Sequence, residues 1–144
     1  MKNEFIEYLK SIGLTEPIIG RIEHIYQFYK EISSDEIRDI FVTEYIKADG
    51  SREYENLWFF SSKSCMEAKL FITKDDFDMA PMRNDVVYLD IRKQDYDFKK
   101  ATEKSRIELR FRLSEVHGIL KASKENCDHL KRILLEYILP NLKE

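Results

Sequence analysis

Arg106-Ile107-Glu108-Leu109-Arg110-Phe111-Arg112-Leu113 alternates charged and apolar residues without a break. Side chains on a strand point to opposite faces with period two, so this octet predicts an antiparallel strand with one face buried and one face wet. A turn and a second short strand, about Val116 to Ala122, follow it. One helix then runs from about Lys124 to Leu139, with Cys127, Leu130, Ile133, Leu134, Tyr137 and Ile138 as its apolar stripe. Ser123 is its expected N-cap, Glu125 lies in its first turn and Pro140 ends it. Ile107, Leu109, Phe111, Leu130, Leu134 and Ile138 are expected to share one core.

Upstream, Val86 to Lys93 alternates again, with Val87, Leu89 and Ile91 on one face. Asp95 to Lys104 reads as a long polar loop. Phe41 to Ile46 and Tyr54 to Phe60 are rich in β-formers and flank Ala48-Asp49-Gly50-Ser51, a hairpin turn signal. A third strand is expected near Met66 to Ile72, and a short one near Phe77 to Ala80 before Pro81. The first residues are different. Phe5, Tyr8, Leu9 and Ile12 recur at helical spacing, with Gly13 as C-cap. Thr15-Glu16-Pro17 opens a second helix carrying Ile18, Ile22, Ile25, Tyr26, Tyr29 and Ile32. Such a hairpin cannot bury both apolar stripes alone, so it must dock on the strands or on a second copy of the chain. Consecutive Trp58-Phe59-Phe60 must point to both faces of their strand, so at least one large aromatic is left for the hairpin to cover. The expected architecture is α+β: a helical hairpin over residues 1–35, then about seven antiparallel strands and a C-terminal capping helix over 36–144.

With 144 residues, 43% hydrophobic and 35% charged, the chain is long enough for a sizeable core. Its 4 glycines and 3 prolines argue against low complexity. The longest apolar runs, such as Leu57 to Phe60, fall far short of the roughly 20 residues a membrane helix needs. Met1 to Lys10 interleaves charge and has no signal-peptide core. Cys65 and Cys127 have neither zinc nor redox spacing, so a soluble, cytoplasmic protein is expected. The net charge of −3 hides a gradient, with residues 99–144 carrying 11 basic and 7 acidic groups.

The stretch Val86-Val87-Tyr88-Leu89-Asp90-Ile91-Arg92-Lys93, together with the final hairpin and helix from Arg106 to Leu139, resembles bacterial pleckstrin-homology-like and GRAM-type domains. The resemblance covers about residues 36–140. It implies two nearly orthogonal sheets forming a partly open barrel or sandwich, with the last helix plugging one end. The leading helical hairpin is not part of that fold. Nor is there a dense Lys/Arg cluster at the first strand turn, as in phosphoinositide-binding members; only Lys47 and Arg52 flank it.

Few residues suggest chemistry. His24, His117 and His129 are scattered, with His129 expected on the polar side of the last helix. Cys127 and His129 diverge by about 200° around a helix, the wrong geometry for chelation. Cys127 would need a base and an oxyanion site to act as a nucleophile, and its place in the apolar stripe favours a core role. Asp75, Asp76 and Asp78 lack the calcium-loop pattern and read as turn residues. No Gly-rich phosphate loop exists. No catalytic residue, cofactor or metal is expected. Trp58, Phe59, Phe60, Tyr54 and Tyr45 read as core rather than as a ligand surface. The strongest candidate is a basic strip: Arg106, Arg110 and Arg112 on one strand face, with Lys99, Lys100 and Lys104 upstream. Guanidinium groups hold phosphates and carboxylates bidentately; against this, Glu108 interrupts the strip and acids such as Asp90 are near. The expected function is a non-enzymatic binding or scaffold module with a protein partner or self-association. The alternative is a peripheral module reading anionic membrane headgroups through the strip. Nucleic acid is disfavoured by the net charge and the lack of a basic recognition helix.

Overall fold

The computed structural model describes residues 1–69, 77–114 and 116–143, and of Ile46 the backbone alone. Helices α1 (Asn3–Ser11) and α2 (Glu16–Ile32) precede strands β1 (Asp39–Ile46), β2 (Arg52–Phe60), β3 (Ser64–Lys69), β4 (Asp78–Arg83), β5 (Val86–Gln94), β6 (Arg106–Leu113) and β7 (Val116–Ser123). Helix α3 (Asn126–Ile133) continues into a π-helical turn (Leu134–Ile138) and a 3₁₀ turn (Leu139–Asn141). All strand pairs are antiparallel, in two sheets ordered β1-β2-β3-β4 and β5-β6-β7. The class is α+β.

The two faces of the four-stranded sheet are both covered, and the Trp58-Phe59-Phe60 triplet shows how. Trp58 and Phe60 point to the three-stranded sheet and the C-terminal helix, stacking with each other at 6.0 Å and meeting Phe111 at 5.5 Å and Tyr137 at 5.5 Å. Phe59 points the other way, under the helical hairpin, 5.8 Å from Tyr26 and 5.9 Å from Tyr29. Phe5, Leu9, Ile19, Ile22 and Ile25 pack there with Ile40, Val42, Leu57, Met66 and Ala68. The hairpin therefore docks on its own chain's sheet. Each such side chain buried contributes about 1.5–3 kcal/mol before entropic costs. Ile107, Leu109, Phe111, Leu130, Leu134 and Ile138 do share the other core, between the sheets.

The link between α1 and α2 follows its sequence signal. Gly13 at φ +89° lets its own N–H reach Lys10 O and the Leu14 N–H reach Leu9 O, the paired bonds of a Schellman cap. Where the sheets meet, no main-chain ladder among the described residues closes a barrel. Where β1 shifts register against β2, with Thr43 alone opposite Glu55 and Asn56, the side chains of Thr43 and Glu44 bond β7 instead. Thr43 Oγ1 accepts the Lys121 N–H at 2.8 Å, and Glu44 Oε2 accepts the Ser123 N–H at 2.9 Å.

Several expectations need correction. Ser123 is the end of β7 and not a helix cap; Lys124 takes φ +53°, which breaks the helical path, so α3 starts only at Asn126. The single long helix is α3 plus two irregular turns, with Pro140 inside the last. Strand β4 runs through Pro81, which an edge strand permits because the missing N–H can face outward. In β5, a bulge between Val86 and Tyr88 rotates Val87 out and puts Val86 in the core. On α2, Ile19 replaces Ile18 in the buried stripe and Ile32 is exposed. The Leu70 to Ile72 end of the expected third strand lies outside the described residues, as do Asp75 and Asp76.

Candidate functional site

Three groups of polar or exposed apolar side chains stand out. The first is a buried network at the sheet seam. Glu44, fully buried, accepts hydrogen bonds from Ser123 Oγ, Asn126 Nδ2 at 2.7 Å and the Ser123 N–H, with Arg52 Nε at 3.2 Å. Arg52 also forks onto both Glu125 oxygens at 2.9 Å and donates to Ser123 O. Asn126 Oδ1 accepts the Tyr8 hydroxyl at 2.8 Å, and that hydroxyl accepts the Val42 N–H at 3.1 Å. Tyr54 donates its hydroxyl proton to Ile12 O. Every partner faces another protein group, so the network ties α1, β1, β2, β7 and α3 together. Its effect on the first strand turn is direct: Arg52 is consumed, and Lys47 is paired to Glu53 at 2.7 Å. Of the two cations flanking that turn, Arg52 is committed to the network, whereas Lys47 makes an exposed pair with Glu53.

The second is a cleft of about 520 Å³ between α1 and α3, with Glu4, Tyr8, Asp39, His129 and Arg132 among its walls. His129 Nε2 lies 2.6 Å from Ile40 O. A carbonyl only accepts, so Nε2 carries the proton and Nδ1 is the free acceptor. The ring stacks on Tyr8 at 3.8 Å, and burial lowers its pKa to about 4. Its position corrects the expectation of a polar-side histidine: the hairpin covers that helix face. Arg132 holds Asp39 by two bonds of 3.0 and 2.9 Å. Burial nonetheless raises the Asp39 carboxyl, against the pull of Arg132. Burial likewise pushes the Tyr8 hydroxyl well up. The cleft's buried polar pairs hold α3 against β1, with Tyr8 of α1 stacked on His129.

The third lies on the three-stranded sheet. Its outer face carries Tyr88, Asp90, Arg92 and Gln94 from β5, Arg112, Arg110, Glu108 and Arg106 from β6, and His117, Ile119 and Lys121 from β7, in matching register. The expected basic strip divides here. Arg106 and Arg110 line a hollow of about 480 Å³, joined by Arg92, Lys93 and Lys121 from the flanking strands around Glu108. Arg110 pairs with Glu108 at 2.7 Å. Arg112 is at the other end of β6, between Tyr88 and His117. Lys99, Lys100 and Lys104 sit exposed in the loop after β5, where the Asp97 carboxylate accepts the Lys99 and Lys100 N–H groups.

The same sheet ends in a free edge, β5. The C-terminal helix runs antiparallel to it and is pinned at both ends. Tyr96 donates to Asp128 at 2.7 Å and Lys131 donates to Phe98 O just beyond the strand's end. Asn84 donates to Tyr137 O at 2.7 Å at its start. There Leu142 bridges Val86 and the Lys143 N–H reaches Val86 O at 2.7 Å. Between the pins, Val87 (41%), Ile91 (41%), Leu135 (52%) and Leu139 (40%) are exposed well beyond core values, with Leu89 half-buried. Beyond Val86, no described residue pairs with this edge.

Elsewhere the residues are ordinary. Burial pushes the Cys65 and Cys127 thiols up to about 12. His24 and His117 are exposed, as is Asp78 at the start of β4. Among the described residues no three His, Cys, Asp or Glu side chains converge as a metal site requires. No described helix is long and apolar enough to cross a membrane. The Asp39–His129–Arg132 group, the Arg92 and Lys121 walls and the β5 edge were missed in the sequence. Only the (i, i+3) spacing of His129 and Arg132 was a usable sign. Comparison with protein-family models, curated proteins and solved structures finds no match.

Proposed function

We propose that the protein is a non-enzymatic binding module that takes an extended segment of a partner protein as an added strand on β5, beside the C-terminal helix. The observation that carries this is the Val86 bridge: the chain's own Leu142–Lys143 already pairs there, so the edge accepts an extended segment. Edge strands present unpaired N–H and C=O groups, and proteins normally blunt them. Strand β4, the other outer edge, has Pro81 and no large exposed apolar residue. Strand β5 has no proline and, beyond Val86, no cover from any described residue, and it has apolar neighbours on the helix. The four-plus-three strand order and closing helix support a pleckstrin-homology-like, partly open barrel or sandwich, with the Thr43 and Glu44 bonds to β7 as its incomplete closure. The membrane alternative is less favoured, because Arg52 is engaged and Glu108 and Asp90 interrupt the outer face.

The test is selection of short displayed peptides on the full chain, followed by amide chemical-shift mapping. Selected peptides should perturb residues 87–94 and 135–142. They should lose at least about tenfold in affinity with Ile91→Lys. That site is partly exposed, so the variant should unfold like the parent. Peptides that map elsewhere, or a library yielding none above background, would overturn the reading. Concentration-dependent dimerisation abolished by Ile91→Lys would assign the edge to a second copy instead.

A further inference from the structure

We infer that the segment accepted by β5 alternates apolar and acidic residues, its apolar side toward the C-terminal helix and its acidic side on the outer sheet face. This rests on the edge-strand reading above and adds the chemistry of the partner. An added strand would present alternate side chains to the two faces of β5. One set would meet Ile91, Leu89, Leu135 and Leu139. The other would meet Tyr88, Asp90, Arg92 and Gln94 and the arginines behind them.

Charge on that outer face is lopsided. Arg92, Arg106, Arg110, Arg112 and Lys121 face two acids, Asp90 and Glu108, in a chain whose net charge is −3. The basic excess is thus set beside the open edge that carries exposed apolar residues. Distance decides which cations count. A new strand lies about 5 Å from β5 and about 10 Å from β6, against a screening length of about 8 Å at physiological salt. Arg92, with 71% of its side chain exposed, is in direct reach, although Asp90 lies 3.8 Å away and Glu108 faces it across the ladder. Arg106 and Arg110 lie one strand further back, where Arg106 already donates to Ser105 O and Arg110 is held by Glu108, so they act at longer range. Lys121, on the third strand, contributes little. Register then makes a finer statement. Gln94 is opposite Arg106, and Arg92 precedes it on the same face. The acidic positions of the partner are those facing Arg92 and Gln94, whereas the position facing Asp90 is uncharged.

The experiment uses three synthetic peptides with the full chain, read by fluorescence anisotropy. The first alternates Ile with Glu, the second alternates Ile with Lys, and the third scrambles the first. The Glu peptide should bind at least about tenfold tighter than the Lys peptide, with the difference shrinking as salt rises. The double variant Arg92→Gln/Arg106→Gln should remove most of that preference, weakening the Glu peptide and, by relieving repulsion, strengthening the Lys peptide. Equal binding of the two, both abolished by Ile91→Lys, would overturn the charge inference and leave the edge reading standing. Glu-peptide binding indifferent to Ile91→Lys, or matched by the scrambled peptide, would overturn both, as would no binding at all. Vesicles with anionic lipid that bind through Arg92 and Arg106 while no peptide does would assign the face to a membrane, and the inference would fall.

Discussion

His129 is the residue whose surroundings have the clearest consequence in solution. An imidazole titrates near 6.5 when free, and this one is held at about 4 by burial between Tyr8, Ile40, Asp39 and Arg132. The unfolded chain therefore binds the extra proton first as pH falls. Stability from the neutral ring is complete above about pH 6.5 and is lost toward pH 4, by roughly 3 kcal/mol over the window. Asp39 has the opposite sign. Its carboxyl is raised above 3.8, so below the raised value the fold holds more proton and its contribution grows as pH falls. The net loss should thus be smaller than the histidine contribution alone. Urea midpoints taken from about pH 7 to pH 4.5 should fall in the parent and stay nearly level in His129→Gln, which keeps a donor for Ile40. Parallel profiles would show that the ring does not titrate with folding. Gly118 makes a second residue-scale prediction. A Cβ there would sit 2.4 Å from Cζ of Phe111, a fully buried ring at the centre of the inter-sheet core. Gly118→Ala should cost about 1–3 kcal/mol in denaturant titration, and an unchanged midpoint would mean the ring can move aside. Neither residue was legible in the sequence. Gly118 read only as one position of the Val116 to Ala122 strand, and His129 acquired its burial only from a hairpin some hundred positions earlier.

Among the elements, the α1–α2 hairpin is the one whose removal is most informative. It covers Ile40, Val42, Leu57, Phe59, Met66 and Ala68, a whole sheet face. It also supplies Tyr8 to the Glu44 network. Deleting residues 1–32 should bare that apolar face and leave Asn126 and Val42 short of partners, giving an aggregating or molten chain. Light scattering and thermal unfolding read this. A variant as monodisperse and stable as the parent would show that the sheet face does not need its cover. The hairpin, the antiparallel strands and the final helix were legible because their periodicities are local. The irregular parts were not. The β2 and β5 bulges, the left-handed Lys124 and the π-helical turn each interrupt a local pattern, and each answers to a partner in another element. Thr43 falls at the β1–β2 register shift, and it and Glu44, which still pairs with Tyr54, supply acceptors to β7. Val87 swings out because Val86 meets Leu142 and the core.

For the whole molecule, one arrangement joins charge and architecture: the three-stranded sheet carries its basic face next to its open edge. The octet Arg106 to Leu113 determined half of this by itself. Strict alternation forces four apolar side chains inward and four charged ones outward, because a strand has only two faces. The apolar spacing of residues 3–32 and 127–138 determined that helices begin and end the chain, because a helix presents one stripe per 3.6 residues. What sequence spacing does not encode is which strand lies beside which. Arg92 and Lys121 join Arg106 and Arg110, and Lys99, Lys100 and Lys104 do not, because strand pairing and a loop decide lateral neighbours. The same holds for the edge. Strand β5 is open because β6 takes one side and the helix, pinned at Asn84 and at the loop after the strand, stands off from the other. Periodicity is set by bonds within a few residues, whereas adjacency is set by which surfaces find each other in the folded chain.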